Sequence, residues 1–285
     1  MKRILVPCDF SKPAIEPYRF AVDLAAASRG EVLVMHAIAL PMLTETTFGI
    51  QPHPLDALEF RKLERHSTEA FGRMKKSYPA PKDVQVKFLA LEDYLLPGIH
   101  QMTEETGIDL IVMGTNGSDG MEEFFVGSNT EKVVRQSRVP VIALRQRPLL
   151  KGIKKIVLPT TLEPGQDAFM EKVRALQDFF GASIHVLFLN PVTLFSSERQ
   201  ARNAMTEFAM HYGLKDFTVN IRHHHSEATG IIDFVHETEG DLLAMGTHGR
   251  QGLARLFAGS VTEKVVNHVD CPIWTYNIRK NQKAR

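Results

Sequence analysis

A glycine-rich loop near the end of the chain has the residue types and the spacing of a phosphate-binding site. It reads Gly246-Thr247-His248-Gly249, then nine residues, then Gly259-Ser260. Asp241 to Met245, just before it, has the length of a strand, and Ser260 to Val269 has the apolar spacing of a helix. Glycine lets a ligand approach the backbone, and a helix N-terminus presents unpaired N–H groups to an anion. The alternative is a long strand-to-helix loop without a ligand.

The same loop occurs twice in the chain. Residues 111–144 align without a gap to residues 243–276, at an offset of 132 (243 minus 111). The positions at which both copies have an identical residue include, in the first copy, Gly114, Gly117, Gly120, Phe125, Gly127, Ser128, Thr130, Glu131, Lys132 and Pro140. The chain is therefore a tandem repeat, and each unit carries a copy of the candidate phosphate loop.

Composition limits the classes of partner. The chain has 285 residues, enough for two ordinary domains, and its 34 basic and 33 acidic residues leave a net charge of +1. So balanced a charge predicts neither a nucleic acid nor an anionic membrane as partner. Cys8 and Cys271 form no metal-binding spacing, and no apolar run approaches the length of a membrane span or signal segment. We therefore expect a soluble cytoplasmic protein.

The first unit alternates between predicted strands and helices. The predicted strands are Arg3 to Val6, Val32 to Ile38, Val84 to Leu89, Asp109 to Met113 and Val139 to Leu144. The predicted helices are Lys12 to Arg29, capped by Ser11 and stopped by Gly30, then Leu55 to Tyr78, Tyr94 to Thr106 and Asn129 to Ser137. This alternation predicts an α/β fold with a parallel, doubly wound sheet. Ligands of such sheets bind at the carboxyl ends of the strands where the winding direction switches, so the loops after the first and fourth strands are the candidates for one site.

The second unit begins after a short linker, Gln146 to Gly152. Its first strand, which starts at Ile156, matches the strand that starts at Ile4 at an offset of 152 (156 minus 4), so the first unit contains 20 more residues in its middle (152 minus 132). The extra residues fall most plausibly in Leu40 to Pro54 and the start of the following helix. We assign domain 1 to residues 1–146 and domain 2 to residues 152–279.

These motifs resemble the universal stress protein family in its tandem two-domain form. The resemblance is based on Gly-x-x-Gly, nine residues and Gly-Ser, found twice, together with the N-terminal Val-Pro-x-Asp-Phe-Ser. It covers nearly the whole chain and implies a five-stranded parallel sheet in each domain, which is Rossmann-like, and pairing of the two domains through their last strands. It also implies ATP as the ligand in one branch of the family, with Mg²⁺ as a further candidate.

The resemblance also implies which residues bind the nucleotide. The aspartate after the first strand and a residue at the end of the second strand face the adenosine, and the glycine loop with the serine and the next two residues holds the phosphates. Carried over to domain 1, these positions are Pro7, Asp9, Ala37, Met113, Gly114, Gly117, Gly127, Ser128 and Asn129. In domain 2 they are Thr161, Phe188, Met245, Gly246, Gly249, Arg250, Gly259, Ser260, Val261 and Thr262.

The two copies match this pattern unequally. Domain 1 keeps Asp9, which can accept hydrogen bonds from the ribose or the adenine, and a small Ala37. Its loop, however, contains Asp119, Glu122 and Glu123, which oppose a polyphosphate unless a divalent cation bridges them or they point away.

Domain 2 shows the reverse pattern, because His248, Arg250 and Arg255 favour phosphate. Thr161 replaces Asp9, and Phe188 is aligned with Ala37. Phe188 either stacks on a base, fills the pocket or, more plausibly, is a core residue. If one site alone is occupied, the charges favour domain 2.

Several further residues have a structural interpretation. His223, His224 and His225 are adjacent, and because neighbouring strand residues point to opposite faces, at most two of them can converge on a metal. We therefore predict no metal site. His36 and His185 lie in apolar strands and are expected to be hydrogen-bonded core residues. Trp274 and Tyr276 lie in a last strand that would be an aggregation hazard if left unpaired, so we expect it to pair with Val139 to Leu144.

No motif of a catalyst is present in the sequence. It lacks Gly-x-Ser-x-Gly, a Walker lysine and a pair of carboxylates with a plausible acid and base. We expect a stress-response protein that binds an adenine nucleotide as a regulatory ligand and is not an enzyme. The first alternative is a nucleotide-independent scaffold that binds an unknown protein partner, and the second is a weak ATPase or phosphotransferase. The sequence leaves a homodimer of the tandem chain open.

Overall fold

The computed structural model describes residues 1–38, 45–46, 49–50, 57–115, 127–190, 197–247, 265 and 268–278. The strands of domain 1 are β1 (Arg3–Pro7), β2 (Glu31–Ile38), β3 (Glu45–Thr46), β4 (Gly49–Ile50), β5 (Gln85–Glu92), β6 (Leu110–Gly114) and β7 (Val141–Leu144). Its helices are α1 (Lys12–Ser28), α2 (Ala57–Ser77), α3 (Leu95–Thr106) and α4 (Ser128–Gln136). The predicted elements of this unit are present, with boundaries that shift by a few residues.

Domain 2 repeats the alternation after a short 3₁₀ turn (Leu150–Gly152). Its strands are β8 (Lys155–Pro159), β9 (Ser183–Asn190), β10 (Phe217–His223), β11 (Leu242–Thr247) and β12 (Ile273–Asn277). Its helices are α5 (Asp167–Phe180), α6 (Glu198–His211) and α7 (Glu227–Thr238). Most of the helix predicted over Ser260 to Val269, and most of Leu40 to Pro54, lie outside the described residues.

The two domains share one sheet. Its strand order is β10-β9-β8-β11-β12-β7-β6-β1-β2-β5, so each domain contributes five strands. Within this sheet all pairs inside a domain are parallel, and the pair that joins the domains, β12 with β7, is antiparallel. Strands β3 and β4 form a separate antiparallel sheet of two strands. The prediction of two doubly wound five-stranded parallel sheets is confirmed. In each domain the direction of winding switches beside the first strand, between β1 and β6 and between β8 and β11.

The last strands of the two domains pair as expected. Ile273 lies opposite Ala143, Trp274 opposite Ile142 and Thr275 opposite Val141. The hydroxyl of Thr275, which is 1% exposed, points to the carbonyl oxygen of Val141 at 3.5 Å. This pairing removes the two open edges that separate domains would have there.

The hydrophobic core follows from the alternation of side chains along the strands. One face of the sheet carries a single apolar cluster that runs through both domains and includes Val6, Ile142, Trp274 and Phe169. The opposite face carries two separate clusters, one in each domain. The strands are therefore covered on both faces, which explains their nearly continuous apolar sequences.

The second domain also contacts a helix of the first. The side-chain amide of Asn277, which is 2% exposed, donates to the backbone carbonyl of Arg135 at 3.0 Å. Arg135 lies in the last turn of α4, where carbonyl groups have no partner within the helix. A residue at the end of β12 therefore caps the C-terminus of a helix that belongs to the other domain.

Both ends of α1 differ from the prediction in detail. Ser11 occupies the N-cap position, but its hydroxyl donates to Asp9 Oδ1 at 2.6 Å and does not cap the helix. At the other end Arg29, not Gly30, adopts the left-handed conformation, with φ of 53°. Gly30 is needed for another reason, because a Cβ there would lie 2.6 Å from the backbone oxygen of Lys2.

A substitution of Trp274 tests the packing between the two domains. It is 2% exposed and its ring lies 5.9 Å from that of Phe169 in the cluster shared by both domains. Trp274→Ala removes a large buried ring, so we expect the free energy of unfolding to fall by about 3 to 5 kcal/mol. Urea denaturation followed by circular dichroism measures it, with the exposed Met210→Ala as the control. A loss below about 1 kcal/mol would contradict the shared core.

Candidate functional site

A cleft opens in domain 1 at the carboxyl ends of β1, β2 and β6, where the winding of the sheet switches. Its volume is about 150 Å³. The residues that line it are Pro7, Cys8, Asp9, Ala14, His36, Ala37, Leu95, Met113, Gly114, Asn129 and Thr130. The loops predicted from the sequence therefore meet at one cleft, at the position where doubly wound sheets bind ligands.

Six residues predicted for the domain 1 site line this cleft: Pro7, Asp9, Ala37, Met113, Gly114 and Asn129. Gly127 and Ser128 do not line it, but they begin the helix that carries Asn129. Gly117 and the acidic residues Asp119, Glu122 and Glu123 lie outside the described residues. Thr130, the second residue after Ser128, also lines the cleft and falls within the predicted phosphate loop, whereas the sequence pattern did not indicate Cys8, Ala14, His36 or Leu95 as site residues.

Asp9 follows β1 and is held by a local hydrogen-bonded turn. Its Oδ1 accepts from the backbone N–H of Ser11 at 3.0 Å and from the Ser11 hydroxyl at 2.6 Å. Oδ2 has no donor among the described residues. The turn thus orients the carboxylate and leaves one oxygen to accept a hydrogen bond from a ligand.

The backbone of this turn is strained. Phe10 has a φ of 61°, a left-handed conformation that is uncommon outside glycine. Its N–H donates to the sulfur of Cys8 at 3.4 Å, and its ring packs 5.3 Å from the ring of His36 and 5.8 Å from that of Phe88. Such conformations persist where the surroundings determine them fully, and they concentrate at functional sites.

His36 reaches the turn from the neighbouring strand β2. Its Nδ1 lies 2.8 Å from the backbone oxygen of Cys8. Because a carbonyl oxygen can only accept, Nδ1 carries the proton and Nε2 is an acceptor in the neutral ring. The prediction that His36 is a hydrogen-bonded residue is confirmed, but it also lines the cleft.

Cys8 is a wall of the cleft and not a nucleophile. Burial raises the pKa of its thiol to about 12, so the sulfur is protonated at neutral pH. Cys271 is also a free thiol, with its pKa raised by burial to about 12.

The start of α4 forms the other side of the cleft. Gly127 is its N-cap residue, and the N–H groups of Thr130 and Glu131 return to the Gly127 carbonyl. The N–H groups of Ser128 and Asn129 have no partner within the helix. The hydroxyl of Thr130 donates to the carbonyl of Gly114 at 2.7 Å and fixes the helix against the end of β6. This arrangement presents the positive end of a helix dipole to the cleft.

The corresponding cleft of domain 2 is much smaller, at about 40 Å³. It is lined by Pro159, Thr160, Thr161, Leu187, Phe188, Leu189, Glu227 and Ile231. A cavity of this size holds one or a few water molecules. The side chains of the second domain therefore fill the space that is open in the first.

The register of the strands corrects one residue correspondence. In domain 1, Pro7 pairs with Met35, and in domain 2 Pro159 pairs with Leu187. Phe188 therefore corresponds to His36, and the counterpart of Ala37 is Leu189. The alignment of Phe188 with Ala37 was wrong by one residue, which in a strand exchanges the two faces. Phe188 packs against the shared core, as its interpretation as a core residue predicts.

The turn after β8 keeps the shape of the turn after β1. Leu162 has a φ of 61°, the value found for Phe10, and its N–H donates to the hydroxyl of Thr160 at 3.0 Å. Thr161 stands where Asp9 stands in domain 1. Its Oγ1 is buried and has no hydrogen-bond partner among the described residues.

The remaining predicted residues of domain 2 divide into two groups. Met245 is 3% exposed, and Gly246 lies inside β11, where a Cβ would come within 2.6 Å of Ile278 Cδ1. Neither residue lines the small cleft. Gly249, Arg250, Gly259, Ser260, Val261 and Thr262 lie outside the described residues, so their phosphate-binding role stays a prediction.

The histidine cluster forms local contacts. His224 Nδ1 accepts from the N–H of Ser226 at 3.1 Å, and its Nε2 lies 3.4 Å from an Asp233 carboxylate oxygen. Within the described ranges, no group of three or more His, Cys, Asp or Glu side chains could hold a metal ion. His185 lies with its Nε2 3.4 Å from the Ser183 hydroxyl and is only partly buried, so it is hydrogen-bonded as predicted but is not a core residue; burial lowers the pKa of its imidazole.

The helices of the described part of the chain include none long and apolar enough to cross a membrane. The fold and the cleft define a tandem α/β protein with two fused five-stranded sheets and a ligand cleft at the switch point of the first.

Comparison with known proteins identifies the family. The model of the universal stress protein family matches residues 1–145 and 152–277. The chain therefore belongs to the universal stress protein family, in a tandem form. Curated relatives are about the length of one unit: universal stress protein MJ0577 of Methanocaldococcus jannaschii is 27% identical over 158 residues, which span 51% of this chain and 96% of that protein. Universal stress protein YxiE of Bacillus subtilis is 24% identical over 147 residues, or 50% of this chain and 98% of that protein.

Solved structures agree on the fold of the whole chain. A universal stress protein from Archaeoglobus fulgidus matches 96% of both chains with a TM-score of 0.72 at 17% identity. Another universal stress protein, solved in complex with cAMP, matches 44% of this chain and 98% of its own with a TM-score of 0.36 at 15% identity. That family member binds a nucleotide, but the likeness supports no conclusion about the ligand of this chain.

Removing one threonine hydroxyl in each domain should have different effects on the stability of the protein. Thr130→Val removes a hydrogen bond to a buried strand end, so we expect the free energy of unfolding to fall by about 1 kcal/mol. Thr161→Val replaces a buried hydroxyl that has no partner, so stability should stay the same or rise. Chemical denaturation of the two variants measures the difference. A larger loss for Thr161→Val than for Thr130→Val would mean that the hydroxyl of Thr161 is satisfied in solution.

Proposed function

We propose that this protein binds one adenine nucleotide per chain, foremost ATP, in the cleft of domain 1 and uses it as a regulatory ligand. The observation that supports this proposal is the Asp9 carboxylate, which is oriented by Ser11 with one oxygen free at an open switch-point cleft. Family membership supports the same class of ligand, because the motif resemblance of the chain implies ATP in one branch of the family.

The chemistry of the cleft suits a nucleoside. A carboxylate oxygen accepts hydrogen bonds, and the ribose hydroxyls and the adenine amino group supply donors. Apolar walls formed by Ala37, Leu95 and Met113 suit the faces of a base. Small-molecule sites usually combine an apolar lining with a small number of polar groups.

The start of α4 suits the phosphates. The N–H groups of Ser128 and Asn129 lie at the positive end of a helix of nine residues, and Asn129 lines the cleft. Anions bind at such termini because unpaired N–H groups and the helix dipole act together. Asp9 would bind the nucleoside end of the nucleotide, and the start of α4 on the other side of the cleft would bind its phosphates. Mg²⁺ is a further candidate ligand, bound to the phosphates.

The described residues favour domain 1 over domain 2, which reverses the preference drawn from charge alone. That preference depended on residues 248–262, which lie outside the described residues. In the described part, the cleft of domain 1 has about 150 Å³ and that of domain 2 about 40 Å³. Thr161 offers a single hydroxyl where Asp9 offers a carboxylate, and Glu227 stands at the cleft of domain 2 in the place of Leu95.

A regulatory role includes two further expectations. The first is a cytoplasmic stress-response setting, which the free thiols Cys8 and Cys271 support because such thiols persist in a reducing compartment. The second is that the nucleotide is bound without rapid hydrolysis. Among the residues that line the cleft, Cys8 offers no nucleophile because its thiol is protonated at neutral pH.

Titration calorimetry with ATP and Mg²⁺ tests the site. We expect one nucleotide per chain and a loss of affinity of about tenfold or more in Asp9→Ala, because a hydrogen bond to a charged group is removed. Thr161→Ala changes the matching residue of domain 2 and should bind as the unmodified chain does. Loss of binding in Thr161→Ala alone would assign the ligand to domain 2. No heat and no thermal shift at millimolar nucleotide would favour the nucleotide-independent scaffold.

A phosphate-release assay tests the absence of catalysis. We expect release from ATP in the presence of Mg²⁺ to stay at the rate of buffer that contains no protein. The control is the Asp9→Ala variant at the same protein concentration, which reveals a contaminating ATPase by an unchanged rate. Multiple turnovers that disappear in Asp9→Ala would instead show that the protein is an ATPase.

A further inference from the structure

We infer that His36 is a positioning residue that holds the turn of Asp9 in the conformation needed to recognise the nucleoside. This inference rests on the proposed function, and it assigns a role to a residue that the sequence pattern placed in the core. His36 does not need to touch the ligand for this role. It acts through the backbone of Cys8, one residue before Asp9.

The contacts of Cys8 show how β2 controls the turn. The N–H of Cys8 donates to the carbonyl of Met35 at 2.9 Å, which extends the pairing of β1 with β2. The carbonyl of Cys8 accepts from His36 Nδ1 at 2.8 Å. Both polar backbone groups of the residue before Asp9 are therefore bound to consecutive residues of one strand, and the peptide that enters Asp9 has a defined orientation.

The rest of the turn has weak support of its own. The N–H of Phe10, a residue in the left-handed conformation, donates to the sulfur of Cys8 at 3.4 Å and has no other acceptor in the part of the chain that the structure describes. A thiol sulfur is a weak acceptor. The bonds from Ser11 to Asp9 orient the carboxylate relative to the turn but not the turn relative to the sheet. Outside the turn, the Cys8 thiol donates a weak bond to Met74 Sδ at 3.9 Å, and among the described residues the imidazole of His36 is the one outside side chain that hydrogen-bonds to the backbone of the turn.

In domain 2 the corresponding turn is stabilised without a histidine. Phe188 stands where His36 stands and has no donor, while Thr160 stands where Cys8 stands. The hydroxyl of Thr160 accepts from the N–H of Leu162 at 3.0 Å, a stronger bond than the one to the thiol. The corresponding residues Phe10 and Leu162 both adopt the left-handed conformation. A hydroxyl at the first position of the turn therefore replaces the combination of a thiol and an imidazole.

ATP affinity in four proteins tests the role: the unmodified chain, His36→Phe, His36→Asn and His36→Phe combined with Cys8→Thr. His36→Phe removes the donor and should weaken binding about fivefold. The amide of asparagine can donate from the position of Nδ1, so His36→Asn should bind within about twofold of the unmodified chain. Adding Cys8→Thr introduces the hydroxyl that Thr160 provides at the corresponding position of domain 2, and it should restore most of the affinity for ATP.

A double-mutant cycle separates positioning from packing. If His36 acts through Asp9, His36→Phe should have no further effect on ATP affinity in the Asp9→Ala background. An equal loss in both backgrounds, or full affinity in His36→Phe, would overturn the inference. So would equal losses in His36→Phe and His36→Asn.

Hydrogen exchange in the ligand-free protein keeps the inference testable if ATP does not bind. The backbone amides of Phe10 and Ser11 should exchange faster in His36→Phe than in the unmodified chain, and His36→Asn should match the unmodified chain. Unchanged exchange in His36→Phe would overturn the inference. Absence of ATP binding with the expected exchange pattern would contradict the proposed function alone.

Discussion

The antiparallel pairing of β7 with β12 is the interaction on which the rest of the structure depends. Each domain alone would end in a strand with one unpaired edge, and both strands, Val141 to Leu144 and Ile273 to Asn277, are buried throughout. Pairing satisfies the backbone hydrogen bonds of both edges and joins the cores on one face into a single cluster. The duplicated chain is therefore one folding unit on that face and two units on the other.

The two clefts can differ although the domains share one sheet. The clefts lie at separate switch points, and the pairing of the last strands does not involve the residues that line either one. Domain 1 keeps a carboxylate, a small residue and an open volume. Domain 2 keeps the backbone of the same turn but fills the space with Phe188 and Leu189. A duplicated fold can thus differ between its two copies at the position where ligands of such sheets bind.

Much of the fold was predictable because its signals are local. The alternation of apolar runs with helical spacing, and the glycine loops at an offset of 132 (243 minus 111), indicate the order of the elements and the switch point. Register was harder, because a strand buried on both faces has no alternation of polarity that would show a slip of one residue. The alignment of Phe188 with Ala37 is such a slip, and the pairing of Pro159 with Leu187 corrects it.

The site was predictable where it depends on residue type and not where it depends on backbone contacts. A carboxylate after the first strand is visible in the sequence, so Asp9 was found. The bond from His36 to the carbonyl of Cys8 joins a side chain to a backbone atom 28 residues away, and no sequence pattern reports it. Ser11 shows the same limit, because its hydroxyl can accept from a backbone N–H at the helix N-terminus or donate to the nearby Asp9, and in the structure it donates to Asp9 Oδ1.

Helix α4 belongs to both halves of the molecule. Its first turn borders the cleft through Asn129 and Thr130, and its last turn is bonded to Asn277 of the other half at 3.0 Å. A fragment that ends at the linker would therefore leave the Arg135 carbonyl without this donor and expose one side of β7, although every residue of the cleft would still be present. The isolated domain 1 would therefore lack contacts that it has in the full chain. A ligand affinity measured on this fragment would not apply to the full chain.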